Sequence, residues 1–196
     1  VCGHLKSQAF AESLAWQIGI SPQDLVEVDF RIKNPNRSAG AYDFGARSRI
    51  DTSFRKSETG ALLGGNWGHG AFQPEACNFC DDIFAETSDV VFGDAWLPEF
   101  ERDWRGTNVI ISRNAEIDAI FANALEAGSI DIASLDIERA VVSQAGNFRH
   151  RRQGLAVRLA DDLAAGLSVP KKRVAPAQDT ATAPRRLLIR QRRHLS

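Results

Sequence analysis

Two of the chain's three cysteines, Cys77 and Cys80, are separated by two residues, and the third is Cys2. A C-x-x-C pair holds two sulfurs close together on one turn. That geometry suits a metal ion, an iron–sulfur cluster or a dithiol switch. A thioredoxin-type dithiol would open a helix whose positive end lowers a thiol pKa. Here Asp81 and Asp82 flank the pair, and their charge opposes that shift. A structural zinc site is a second reading, with Cys2, His4, Cys77 and Cys80 as a Cys₃His set. An iron–sulfur site is a third, with Cys2, Cys77 and Cys80 as three ligands and a fourth from elsewhere. An inert buried pair is the fourth. Any shared site requires Cys2 to meet Cys77 and Cys80 in space.

Length and composition bound the rest. At 196 residues, 43% hydrophobic and 25% charged, the chain is a globular protein with one ordinary core. No apolar run approaches the roughly 20 residues of a membrane helix, so no span is expected. The few, odd-numbered cysteines argue against a secreted disulfide framework and for a reducing, cytoplasmic location. The sequence has no methionine and opens almost directly on a cysteine, so it reads as the C-terminal portion of a longer protein or as a chain whose start was assigned too late.

Charge is uneven. Residues 168–196 carry eight Lys and Arg against Asp179 alone, which leaves 16 basic and 24 acidic residues for the remainder. The sequence therefore divides into a domain over residues 1–167 and a basic Pro/Ala-rich tail over residues 168–196. The tail is expected to be disordered, because Val174–Pro184 has too little apolar surface to offset ordering entropy. Leu187, Leu188 and Ile189 form one apolar run that a brief docking helix would use. A nucleic-acid partner is not expected, and a solvated or self-docking tail is the preferred reading.

Periodicity predicts the elements. Ser7 caps a helix to about Ile18, with Phe10, Leu14 and Ile18 on one face and Gly19 as its stop. Leu25 to Lys33 alternates as a strand, residues 41–56 add one or two more, and Gly60 to Gly70 is a glycine-rich loop. The C-x-x-C segment is expected to open a short helix through about Glu86. Asp89–Phe92 and Asn108–Ser112 follow as buried strands, then a helix capped by Asn114 and closed by Gly128. A short strand over Ile130–Ile132, a helix from Ser134 to about Gln144 and a last helix over Phe148–Ala165 complete the domain. The last helix should bury Leu155, Leu159 and Leu163 and expose its arginines and aspartates. The class is α+β (mixed α/β), a single domain with a mixed sheet and flanking helices.

Several residues are candidates for binding. Arg31 and Lys33 alternate along their strand and point the same way, toward an anionic cofactor or toward solvent. Gly64 and Gly65, with their neighbouring glycines, would let backbone approach a cofactor, or simply form a flexible loop. Asp94 and Trp96 lie just past a buried strand. His69 is either a polar handle or an exposed loop histidine. No Ser-His-Asp set, paired-carboxylate motif or P-loop is present.

The order of these features carries a resemblance. The opening Val1-Cys2-Gly3, the strand Val28-Asp29-Phe30-Arg31-Ile32-Lys33 and the C-x-x-C pair precede Ala85-Glu86-x-x-Asp89-Val90-x-x-Gly93-Asp94-Ala95-Trp96. Over roughly residues 1–150 this resembles the C-terminal domain of the coenzyme F420 hydrogenase/dehydrogenase beta-subunit family, to which 7-hydroxymethyl chlorophyll a reductase is related. The resemblance implies an oxidoreductase with FAD and a [4Fe–4S] cluster, coenzyme F420 as a candidate substrate, and a reduced carrier or redox partner protein. Cys2, Cys77 and Cys80 match cluster cysteines of the family. The family's N-terminal domain and its Gly-x-Pro-Cys motif are not in this sequence. The reading from a different class is a zinc-stabilised or metal-free interaction domain that kept the fold and lost the redox chemistry.

Overall fold

A computed structural model describes residues 1–2, 4–51 and 53–196. Helix α1 (Gln8–Gln17) forms because Phe10 and Leu14 recur at helical spacing, and both are fully buried. Gly19, at φ +82°, ends it with backbone bonds from Ile18 and Gly19 to Ala15 and Trp16. The chain then builds an antiparallel sheet from β1 (Leu25–Ile32), β2 (Asp43–Ser48) and β3 (Phe54–Glu58), with β2 in the centre. Val28 pairs with Ala46, and Gly45 with Lys56. Gly45 has no alternative, because a Cβ there would overlap Phe54 and Ile32.

The main core lies between α1 and this sheet. Phe10, Leu14, Ile20, Phe44 and Ala46 pack there, joined by Phe30, Trp67 and Phe72. Phe10, Phe30 and Trp67 make a three-ring cluster with centroid separations of 5.1 to 5.8 Å. Trp67 comes from the glycine-rich segment, which is therefore pinned to the core.

A second antiparallel pair, β4 (Val90–Asp94) and β5 (Asn108–Ser112), is bridged by α2 (Pro98–Glu101). Helix α3 (Ala115–Glu126) follows, and its Asn114 cap accepts from the Glu116 amide. Then come α4 (Ile137–Ser143), α5 (Ala145–Phe148), a π-helical stretch (Arg149–Gly154) and α6 (Leu155–Ala164). Helix α7 (Ala183–His194) ends the chain. Among the described residues no helix is long and apolar enough to cross a membrane.

The α+β class stands, but the strands form two separate antiparallel sheets where one mixed sheet was expected. Five local expectations are corrected. Cys77 lies inside a 3₁₀ turn (Glu75–Phe79) that stops before Cys80, and no helix runs on to Glu86. Residues 130–132 form no strand. Phe92 is half exposed and Leu163 points out, while Arg151, Arg158 and Asp162 of the last helical region are buried. The tail is ordered: α7 docks on α6 through buried Ile189, Ala181 and Val157, with Arg190 on Asp161 and Arg193 on Asp162. Ile189 of the apolar run and the aspartates of α6 explain this: the first is covered by α6 and the second are met by α7 arginines.

Candidate functional site

One buried arginine links two of the three cysteines. Arg151 Nη2 donates to Cys2 Sγ at 2.5 Å and Nη1 to the Cys80 carbonyl oxygen at 3.4 Å. The same guanidinium lies near enough to Cys77 for its charge to act on that thiol. Cys2, 75 positions before Cys77 in sequence, is fixed there by its amide on the Ile83 carbonyl and by Asn147 Nδ2 on its own carbonyl. All three cysteines are free thiols. Burial pushes the Cys77 thiol up, and the Arg151 charge opposes this.

His4, the fourth ligand of the zinc reading, is engaged elsewhere. Its Nε2 lies 2.7 Å from Asn147 Oδ1, and its Nδ1 is buried without a partner. Burial, aided by the Arg151 charge, lowers its pKa and keeps the ring neutral. Among the described residues, no three His, Cys, Asp or Glu side chains are grouped so that they could hold a metal ion.

Beside the cysteines opens a cleft of about 1060 Å³. Its wall combines Cys2 and His4 with Phe30, Tyr42, Trp67 and Trp96, and with Arg31, Gly65 and Asp94. Arg31 is held by both Asp94 carboxylate oxygens at 3.0 and 2.9 Å. Its guanidinium lies over the rings of Tyr42 and Trp96, at 5.0 and 5.7 Å from their centroids. Two distant strands are thereby tied: Arg31 from β1 and Asp94 from β4. Gln144, just past α4, donates to the Asp94 carbonyl at 2.7 Å and braces the same corner.

Other candidates are placed differently. Lys33 donates to the Ala39 carbonyl at 3.3 Å and does not line the cleft. Gly64 turns the loop at φ +77° against Ala71 and Phe72, away from the wall. Gly65 reaches the wall, but its lack of a side chain serves its own loop: a Cβ would overlap the Thr59 carbonyl oxygen. His69 lines the cleft, and burial, with Arg192 and Lys6 nearby, lowers its pKa.

Sequence reasoning missed Tyr42, Trp67, Asn147 and Arg151. It also missed Lys6, whose amine donates to the Trp67 and Ala71 carbonyls and is pushed down to about 8 by burial. None of these stands in a motif. Their roles come from tertiary contacts, such as those of Lys6 and Arg151, that span more than 60 positions.

A family model for the C terminus of the beta subunit of coenzyme F420 hydrogenase/dehydrogenase matches residues 1–138. The chain belongs to this family. No curated protein and no solved structure matches it. This F420 hydrogenase/dehydrogenase beta-subunit domain therefore contains Cys2, Arg31, Cys77, Cys80 and Asp94 within its matched segment. Asn147 and Arg151, which hold Cys2, and α7, which lines the cleft, lie beyond it.

Proposed function

We propose that this chain is the C-terminal part of a flavin-dependent oxidoreductase subunit, passing electrons between a reduced carrier such as coenzyme F420 or ferredoxin and a redox partner in the cytoplasm. The observation that carries the reading is the cleft, where Phe30, Tyr42, Trp67 and Trp96 share one wall with a fixed arginine and Cys2. Its residues fit a flavin. Tyr42, Trp67 and Trp96 offer apolar surface to a planar ring. Thr59 Oγ1, His4 Nδ1 and His150 Nε2 are buried polar atoms on that wall without partners, and a buried polar group is costly until something pairs with it. Bound flavin would supply hydride exchange and one-electron transfer, while the protein supplies position and electrostatics.

The thiols have the right softness for a [4Fe–4S] cluster, and family membership favours one. As they stand they do not fit it, because among the described residues no three such side chains are grouped to hold a metal and the Cys2 sulfur accepts from Arg151. The redox reading therefore rests on the flavin alone. This same contact favours a second reading, a metal-free interaction domain that retains the fold.

The test is an anaerobic titration of the purified protein with FAD, followed by flavin fluorescence, with iron and sulfide assayed in parallel. Saturable one-to-one binding, weakened about tenfold by Tyr42→Ala, is expected. A flat titration overturns the flavin reading. Stoichiometric iron and sulfide would restore the cluster, whereas a protein without flavin, iron or zinc would support the interaction domain.

A further inference from the structure

Helix α7 carries arginines on two faces. Arg186, Arg190 and Arg193 face the domain and are all occupied, on the Gln178 and Ala181 carbonyls, Asp161 and Asp162. Arg185 and Arg192, seven positions apart and so on one side of the helix, line the cleft instead. Arg149 of the π-helical stretch joins them there. Among the described residues none of the three has a carboxylate partner. The Nε atoms of Arg185 and Arg192 are buried without a hydrogen-bond acceptor. His150, 6% exposed, lines the same wall, and its Nε2 is also unpartnered.

Guanidinium groups that share one wall and keep buried, unused donors suit an anionic ligand. The Arg192 pKa is lowered by burial and then by Arg185 and Arg149, the signature of like charges without an anion between them. We propose that Arg149, Arg185 and Arg192 bind the phosphate-bearing end of the ligand held in the cleft, with His150 as an added hydrogen-bonding partner. Phosphate is the class that fits: several anionic oxygens can engage several planar forks at once, which one carboxylate cannot. The site lies wholly outside residues 1–138, with Arg149 and His150 from the π-helical stretch and Arg185 and Arg192 from α7. It rests on the reading of the cleft as a ligand site.

The probe is sodium pyrophosphate, titrated onto the whole chain by calorimetry and by thermal melting against sodium chloride of equal ionic strength. Saturable binding and a melting temperature above the chloride control are expected. The double variant Arg185→Gln, Arg192→Gln should bind at least tenfold more weakly, and Arg102→Gln, an exposed arginine away from the cleft, should bind as the parent does. Equal shifts in both salts, or undiminished binding by the double variant, would overturn the proposal. If circular dichroism shows that variant unfolded, Arg149→Gln, an exposed position, decides on the same criterion. Competition between FAD and pyrophosphate, with riboflavin unaffected by the variants, assigns the phosphate to the cofactor. Simultaneous binding assigns it to a second substrate. Pyrophosphate binding without any flavin binding removes the flavin reading alone, and flavin binding without pyrophosphate removes this site alone.

Discussion

Arg151 donates to the sulfur of Cys2 at 2.5 Å while being 1% exposed and having no carboxylate partner among the described residues. A buried guanidinium is stable only where its charge is met, and here sulfur and a backbone carbonyl meet it. The contact also favours thiolate at Cys77 against the burial that disfavours it. Arg151→Met, similar in length and uncharged, should therefore move the pH midpoint of Cys77 alkylation upward. Peptide-resolved alkylation with iodoacetamide across about pH 7 to 10, a range that brackets the ordinary thiol pKa, measures it. An unmoved midpoint would show that the guanidinium and the thiol are not coupled.

The Arg31–Asp94 pair makes a different prediction, because both side chains are about one-third exposed. Such a pair is worth at most about 1 kcal/mol, so Arg31→Leu should barely change stability. Its effect should fall on binding, through loss of the charge stacked on Tyr42 and Trp96. FAD affinity is expected to drop about tenfold, the loss of roughly 1.4 kcal/mol. Unchanged affinity beside unchanged stability would remove Arg31 from the ligand wall.

His150 sets a pH dependence. Burial, reinforced by the charge of Arg158, by neighbouring His4 and by the charges of Arg151 and Arg192, drives its pKa from the ordinary 6.5 to about 2. Between those values the unfolded chain takes a proton that the folded chain refuses. Stability is thus complete above about pH 6.5 and falls as the pH is lowered. From about pH 6.5 to 5 the loss is about 2 kcal/mol, at roughly 1.4 kcal/mol per pH unit. His4 acts in the same direction. Urea unfolding at both pH values should show this loss for the parent and a clearly smaller one for His150→Gln. Parallel pH profiles of the two proteins would contradict the assignment.

Much of the fold is legible in the sequence because local signals and tertiary demand agree. The helical spacing of Phe10 and Leu14 is the buried face of α1, and Asn114 caps α3 as its position suggests. The alternation of residues 25–32 is β1. Reading fails where long-range contacts decide. Tyr42 has no motif, and its place over Arg31 comes from the β1–β2 pairing that sets Ile32 opposite Asp43. Arg151 and Arg158 look solvent-bound in an amphipathic pattern, but the first serves the cysteines and the second the Asn78 and His150 carbonyls. The Pro/Ala composition at residues 174–184 suggests disorder. It is a connection to a helix whose order comes from what it touches.

That helix supplies the last prediction. Ile189 is 3% exposed and packs with Val157 and Ala181. The Leu195 carbonyl accepts from the Phe72 amide, and Ser196 Oγ accepts from the buried Asn78, so α7 ties the chain's end to the segment around the C-x-x-C pair. Ile189→Ala removes buried methyl groups and leaves a void, at a cost of about 2 to 4 kcal/mol. For a chain of 196 residues that lowers the melting temperature by roughly 5 to 15 °C. Leu187→Ala, two residues earlier and more than half exposed, should cost under about 1 kcal/mol. Deleting residues 168–196 should destabilise at least as much as Ile189→Ala. It should also speed alkylation of Cys77 and Cys80, because Arg193 no longer pins the 3₁₀ turn through Glu75 and Phe79. A truncated protein that melts with the parent and keeps its thiols equally protected would show that α7 does not dock.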